Sequence, residues 1–235
     1  MKALALATAL SVVLACAVSA QDSGKTNGAR RGMEAAATPS VDVAAIQKKI
    51  DAYSEAIKND PKNDKYYAAR GQNYRHLLKW DQAIADMSKA IELNPSSPVY
   101  LEERGCYFGL TDSYKKACDD FDKALKLGSS STTLLTRYAQ CLLQIGEYRK
   151  SVQYANKALS RRPDDVGCLI ALGSSEGELG LNADSLKHLS KAIELNPSSA
   201  SAYASRALTY KALGKSDLAM ADLEKAKQLG FKQGR

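Results

Sequence analysis

Apolar and small residues recur every three or four positions through most of the chain, the spacing of a helix face rather than the alternation of a strand. Tyr67, Gly71 and Tyr74 mark one such face, and Ala83, Met87 and Ala90 mark a second shortly after it. The same pair of patterns returns at a fixed interval. Residues 88–97 and 190–199 both read SKAIELNPSS, 102 positions apart, which is three times 34. Pro61, Pro95, Pro163 and Pro197 fall on that 34-residue ruler, with Ser129 at the remaining mark. Five registers follow, opening at Asp64, Pro98, Thr132, Val166 and Ala200, and each predicts two helices.

Small residues stand in columns where paired helices must approach. The first helix of each register carries Gly71, Gly105, Ala139, Gly173 or Ala207, and the second carries Ala83, Ala117, Ser151, Ser185 or Ala219. A further column runs Ala56, Ala90, Ala124, Ala158, Ala192 and Ala226. Without bulky side chains at those positions the helix axes can interlock. The proline near each register's end stops the second helix.

The chain resembles the tetratricopeptide repeat, whose pattern of large residue, Gly or Ala, aromatic, Ala, aromatic, Ala and Pro is matched here by Tyr67, Gly71, Tyr74, Ala83, Met87, Ala90 and Pro95, with Met87 in the place of the second aromatic. The likeness runs from about 64 to 231. It implies an all-α fold, a right-handed solenoid of five helix pairs with a concave groove. One extra helix is expected before the array, because residues 41–60 hold only a second-helix pattern, Ile50, Tyr53, Ala56 and Ile57. Such a half-repeat covers the exposed side of the first full repeat. At the other end, two outward columns finish in polar residues: Trp80, Tyr114, Tyr148, Asn182, Ser216, and Ile57, Ile91, Leu125, Leu159, Ile193, Lys227. A terminal helix needs a water-compatible face, so the array is expected to stop there.

One column departs from the family pattern. Arg70, Arg104 and Arg206 each stand sixteen residues before Asp86, Asp120 and Asp222, whereas the other two repeats carry Tyr138 with Tyr154 and Leu172 with His188. Charges that come and go together predict interhelical ion pairs in repeats one, two and five. Repeat four also has Glu176 at an apolar position and Gly167, Gly173 and Gly177 within one helix, so low local stability is expected at 166–180.

The family's groove is lined by one face of the first helices. Carried to this sequence, that face holds Lys65, Ala68, Ala69, Gln72 and His76, then Glu102, Glu103, Cys106 and Gly109, then Arg137, Gln140 and Gln144. It continues through Ile170, Ser174, Gly177 and Glu178 to Ser205, Leu208 and Lys211. The resemblance implies a protein or peptide ligand there. Members that grip the carboxylate ends of chaperones use a Lys/Asn clamp, and here Ala68, Gln72 and Glu103 occupy its positions, which disfavours that ligand.

Ahead of the repeats, Lys2 precedes an apolar run from Ala3 to Val18, closed by Ser19-Ala20 before polar Gln21-Asp22. That is the layout of a secretory signal peptide, and the run is shorter than the roughly 20 residues a membrane span needs. Val13-Leu14-Ala15-Cys16 also resembles a bacterial lipoprotein box, so acylation of Cys16 stands as the alternative, with Leu14 larger than that pattern favours. The expected organisation is a signal peptide at 1–20, a flexible linker at 21–40 and the repeat domain at 41–235. The domain divides into a half-repeat at 41–63 and repeats at 64–97, 98–131, 132–165, 166–199 and 200–233.

Composition then limits the chemistry. Of 235 residues, 45% are hydrophobic and 25% charged, ordinary values for a folded protein. Only two histidines occur, His76 and His188, in different repeats and with no nucleophile and carboxylate spaced around them, so no enzyme, cofactor or metal site is expected. Beyond Cys16 the cysteines are Cys106, Cys118, Cys141 and Cys168, with no C-x-x-C pair. In an oxidising compartment a Cys118–Cys141 disulfide is one arrangement, and core thiols are the other. The net charge of +7 permits a nucleic-acid binder, but basic residues do not line the groove columns. The reading is therefore an exported scaffold or adaptor that binds a protein or peptide and assists assembly of an envelope or secretory-pathway complex. The alternatives are a basic helical-repeat nucleic-acid binder and a structural protein lipid-anchored through Cys16.

Overall fold

The structure, a computed structural model, describes residues 42–231. The apolar leader, Cys16 and the 21–40 linker lie outside the described residues. Eleven α-helices follow in order: α1 (Val43–Asn59), α2 (Asp64–His76), α3 (Trp80–Leu93), α4 (Pro98–Leu110), α5 (Tyr114–Lys126), α6 (Thr132–Gln144), α7 (Tyr148–Leu159), α8 (Val166–Glu178), α9 (Asn182–Leu195), α10 (Ala200–Ala212) and α11 (Ser216–Gln228). No strand occurs among the described residues. From α2 onward the helices form five consecutive pairs, each packing most heavily on itself and then on the next pair, with α1 against α2. The expected all-α array of five pairs preceded by one extra helix is the architecture observed.

Local chemistry fixes the helix ends. Asn63, Ser131, Asp165 and Ser199 cap α2, α6, α8 and α10, their side chains accepting from backbone N–H groups in the first turn, and Pro98 opens α4. Each first helix ends in a tight turn with a left-handed residue, Gly146, Gly180 and Gly214 in repeats three to five but Leu78 and Asp112 in repeats one and two. The backbone bond that closes the turn recurs in all five, and a second one, from the left-handed residue itself, in all but repeat two. In the first, Leu78 N–H donates to Arg75 C=O and Lys79 N–H to Tyr74 C=O, at 2.9 and 3.0 Å.

The small columns mark close contacts. A Cβ at Gly105 would stand 2.7 Å from the Phe121 ring, and one at Gly173 2.7 Å from Leu189 Cγ. One column pairs chemically with the next repeat. Ala83 and Ala117 share apolar clusters with Tyr107 and Cys141, whereas Ser151 and Ser185 meet the hydroxyls of Ser175 and Thr209 at 2.7 and 2.8 Å. Apolar meets apolar and hydroxyl meets hydroxyl, so no buried polar atom in this column is stranded.

The structure brings Arg70 to Asp86, Arg104 to Asp120 and Arg206 to Asp222. Arg104 donates through Nε and Nη2 to both Asp120 oxygens, at 2.7 and 2.8 Å, and its remaining Nη1 donates to Ser88 Oγ at 3.0 Å. Ser88 is itself turned by donating to Ile84 C=O, which leaves its lone pairs for the guanidinium. Arg70 takes Ser54 and Arg206 takes Ser190 in the same way, at 3.1 Å each. Each arginine thus ties its own hairpin to the second helix before it. Sequence reading found the aspartates and missed the serines.

In repeats three and four the site is filled differently. Tyr138 packs against Tyr154 in a tilted arrangement with ring centroids 4.5 Å apart and donates to Asp122, which stands in the serine position. Leu172 is fully buried, and His188 Nδ1 lies 2.7 Å from Glu176 Oε2. Repeat four therefore keeps a polar pair with the acid on the first helix and the base on the second, reversed and one turn displaced. The expected weak segment at 166–180 is not what the contacts describe. Residues 168–173, 175 and 176 are all buried, and the glycines sit where neighbours press closest.

Two measurements test these contacts. Asp120 is almost wholly buried, so Asp120→Ala is expected to cost about 3–5 kcal/mol in denaturant unfolding by leaving Arg104 unpaired. Arg104→Met combined with Asp120→Leu should cost far less, and additive losses would contradict the pairing. Burial raises the Glu176 carboxyl above the usual carboxylate range, with the His188 bond and charge opposing that rise. A carboxyl that holds its proton more tightly when folded loses stabilising effect as pH climbs past its unfolded value of about 4.3. The stability of Glu176→Gln relative to the native chain should therefore increase from pH 4.5 to 7 in thermal unfolding, and a flat difference would contradict it.

Candidate functional site

Which side of the array is concave follows from which helices touch across repeats. The first helices α6, α8 and α10 pack directly on one another, α4 touches α6 slightly, and the second helices make no comparable contact among themselves. Elements that meet across successive repeats lie on the inside of the curve, so α2, α4, α6, α8 and α10 form the inner wall.

The predicted groove residues all lie on these helices, but their availability differs along the wall. On α2, Lys65, Gln72 and His76 are exposed, Ala69 is half-buried and Ala68 is buried. On α4, Glu102, Glu103, Cys106 and Gly109 are half-buried. On α6, Arg137 and Gln144 remain partly open while Gln140 is buried. On α8 and α10, Ile170 and Ser205 are buried, Ser174, Gly177 and Leu208 are half-buried, and only Glu178 and Lys211 are exposed.

Hydrogen bonds run along the wall, within its helices and, at two places, between neighbouring ones. Gln72 Nε2 donates to Glu103 Oε1 at 2.7 Å, and Tyr107 Oη donates to the other Glu103 oxygen at 3.1 Å. Ser129 donates to Glu102. Further along, Ser174 Oγ donates to Ser205 Oγ at 2.9 Å, and Arg137 Nη1 to Gln140 Oε1 at 3.4 Å. Arg75 lies 3.4 Å from the His76 ring, and burial, then Arg75 and Lys49, lower the His76 pKa, so this imidazole resists protonation.

Two wall residues were missed by sequence reading. Val99 is 55% exposed and occupies the Lys65 column, and Arg75 is exposed one turn beyond Gln72. The 34-residue register could have found Val99, since 65 + 34 gives 99.

The remaining chemistry is structural. Cys118 and Cys141 pack in the same apolar cluster as thiols, so the disulfide weighed from the sequence is not formed. Burial pushes Cys118 and Cys168 up to about 12, far from a reactive thiolate. Among the described residues no three His, Cys, Asp or Glu side chains gather as a metal site requires, and no helix is long and apolar enough to cross a membrane.

Three stretches match family profiles of the tetratricopeptide repeat, residues 64–97, 132–165 and 188–221. The last is phased twelve residues ahead of Ala200, so it straddles the fourth and fifth pairs. Among solved structures, YrrB, described as a TPR protein with an unusual peptide-binding site, is 22% identical. That match covers 77% of this chain and 93% of YrrB, with a TM-score of 0.63. MamA from Desulfovibrio magneticus RS-1 is 19% identical over 71% of this chain and 94% of its own, with a TM-score of 0.62. A tetratricopeptide repeat protein from Parabacteroides merdae is 23% identical over 81% of this chain and 74% of its own, at 0.56. At these identities the likeness is one of fold. Comparison with curated proteins gives no match.

Proposed function

This chain is a tetratricopeptide-repeat protein, and from that premise we propose that it is an exported, non-enzymatic scaffold that binds a protein or peptide along its inner wall. The observation that carries the reading is the wall itself: five first helices in register, open at one end, with exposed polar side chains. YrrB, similar in fold, is described by its peptide-binding site, which supports the same use of the wall here. Against catalysis stand the separated histidines, the buried thiols and a wall whose carboxylates are occupied by hydrogen bonds within the protein. Export rests on the apolar run from Ala3 to Val18 and the small residues up to Ala20. A scaffold delivered beyond the cytosol would serve assembly of an envelope or secretory-pathway complex.

Site-specific photocrosslinking in the native host tests this. A crosslinker at Gln72, on the wall, should capture a discrete protein, whereas one at exposed Lys123, on an outer helix, should capture little of it. Equal capture from both positions would overturn the groove reading. Mass analysis of the mature N-terminus should find Gln21, and an acylated Cys16 would replace secretion by lipid anchoring.

A further inference from the structure

The outer surface of the array is not uniform in charge, and the 34-residue register allows its helices to be compared position by position. Five positions in every second helix turn outward and are exposed, apart from Lys89 and Lys191, which are half-buried. On α3 they hold Asp81, Gln82, Ala85, Lys89 and Glu92, a net charge of −1. On α9 they hold Ala183, Asp184, Lys187, Lys191 and Glu194, and on α11 Asp217, Leu218, Ala221, Lys225 and Gln228, each net zero. The sign changes on the two second helices between α3 and α9. There α5 presents Lys115, Lys116, Asp119, Lys123 and Lys126, and α7 presents Arg149, Lys150, Gln153, Lys157 and Ser160, +3 from each.

Carboxylates nearby reduce this excess without cancelling it. Asp120 is buried against Arg104, and Asp164 is taken by Lys191 of the following helix. Asp112, Asp122, Glu147 and Asp165 stay negative, while Arg161 and Arg162 add two cations just beyond α7. With all six counted the band keeps +4, more than half of the chain's net +7. The two helices share one surface. Tyr138 donates to Asp122 on α5 while packing against Tyr154 on α7, and Arg161 donates to the Ser130 carbonyl just past α5. Tyr114, Tyr148 and Tyr154 are half-buried and Phe121 is buried, so no ring on either helix is free to stack on a nucleic-acid base. Flexible lysine stems spread over two helices, each about 20 Å long, suit the diffuse charge of a lipid headgroup layer. We infer that the outer face of α5 and α7 is a docking surface for an anionic phospholipid membrane. The inner wall lies on the other side of each hairpin, so the docked protein keeps that wall turned away from the bilayer. The assignment stands apart from the groove reading and holds whatever the wall binds.

Vesicles of phosphatidylcholine with about 30% phosphatidylglycerol, mixed with the chain as its native host processes it and then sedimented, test this. At about 0.05 M salt their partition coefficient should exceed that of phosphatidylcholine alone by about tenfold or more, and at about 0.5 M salt the difference should vanish. The triple variant Lys115→Glu, Lys126→Glu, Arg149→Glu should lose about tenfold or more of the binding. A control triple makes the same change of net charge at exposed positions off the band, Lys48→Glu, Lys211→Glu, Lys225→Glu, and should lose less than about threefold. No preference for phosphatidylglycerol, or equal losses from the two triples, would overturn the inference. So would retention of a fluorescein-labelled DNA duplex that the first triple abolishes while vesicles of both kinds stay unbound, which would assign the surface to nucleic acid instead.

Discussion

A helical hairpin of some thirty residues is too thin to shield its own apolar face, so each pair must find part of its core in the next. What makes that possible is close approach at residues with almost no side chain. At Gly105 the Phe121 ring occupies the space a Cβ would take, and at Gly173 Leu189 does the same. A bulkier residue at either position would push a helix outward and shift every contact on its far side. Three connected apolar clusters follow the array from α2 to α10, none confined to a single repeat.

Onto this spacing the protein adds directional contacts. Where arginine occupies the inter-repeat site, it satisfies a buried aspartate with two bonds and spends a third on the preceding serine. Arginine's planar fork suits that three-way geometry better than lysine's point charge would. Repeats three and four solve the same position by a tilted aromatic pair and by a carboxylate–imidazole pair. The three solutions are mutually exclusive in volume and charge, which explains why the two columns change together rather than independently.

The periodicity, the small columns and the Arg–Asp pairs were legible because each depends on fixed offsets within one 34-residue unit. The serines that complete the arginine sites were equally regular, at Ser54, Ser88 and Ser190, but their role emerges only when two repeats are superposed in space. Glu176 with His188 escaped because their separation of twelve residues breaks the sixteen-residue rule. Gly167, Gly173 and Gly177 were misread for a different reason. A propensity scale charges glycine for the helix it sits in and is blind to the neighbour it admits. The unequal openness of the wall was hidden too, since it depends on distances between helices and not on the identity of any one residue.

The turn between paired helices is held by its backbone, through an N–H to C=O bond that recurs in every repeat, and not by the residue at its apex. Glycine, aspartate and leucine all adopt the left-handed conformation there, the last at a steric penalty of roughly 1–2 kcal/mol. Leu78, 69% exposed, shows that even a bulky apolar group is admitted without altering helix spacing. That rim is therefore a margin on which substitutions can accumulate while the wall stays in place, so new contacts could be acquired at the edge of the solenoid without remaking its interior.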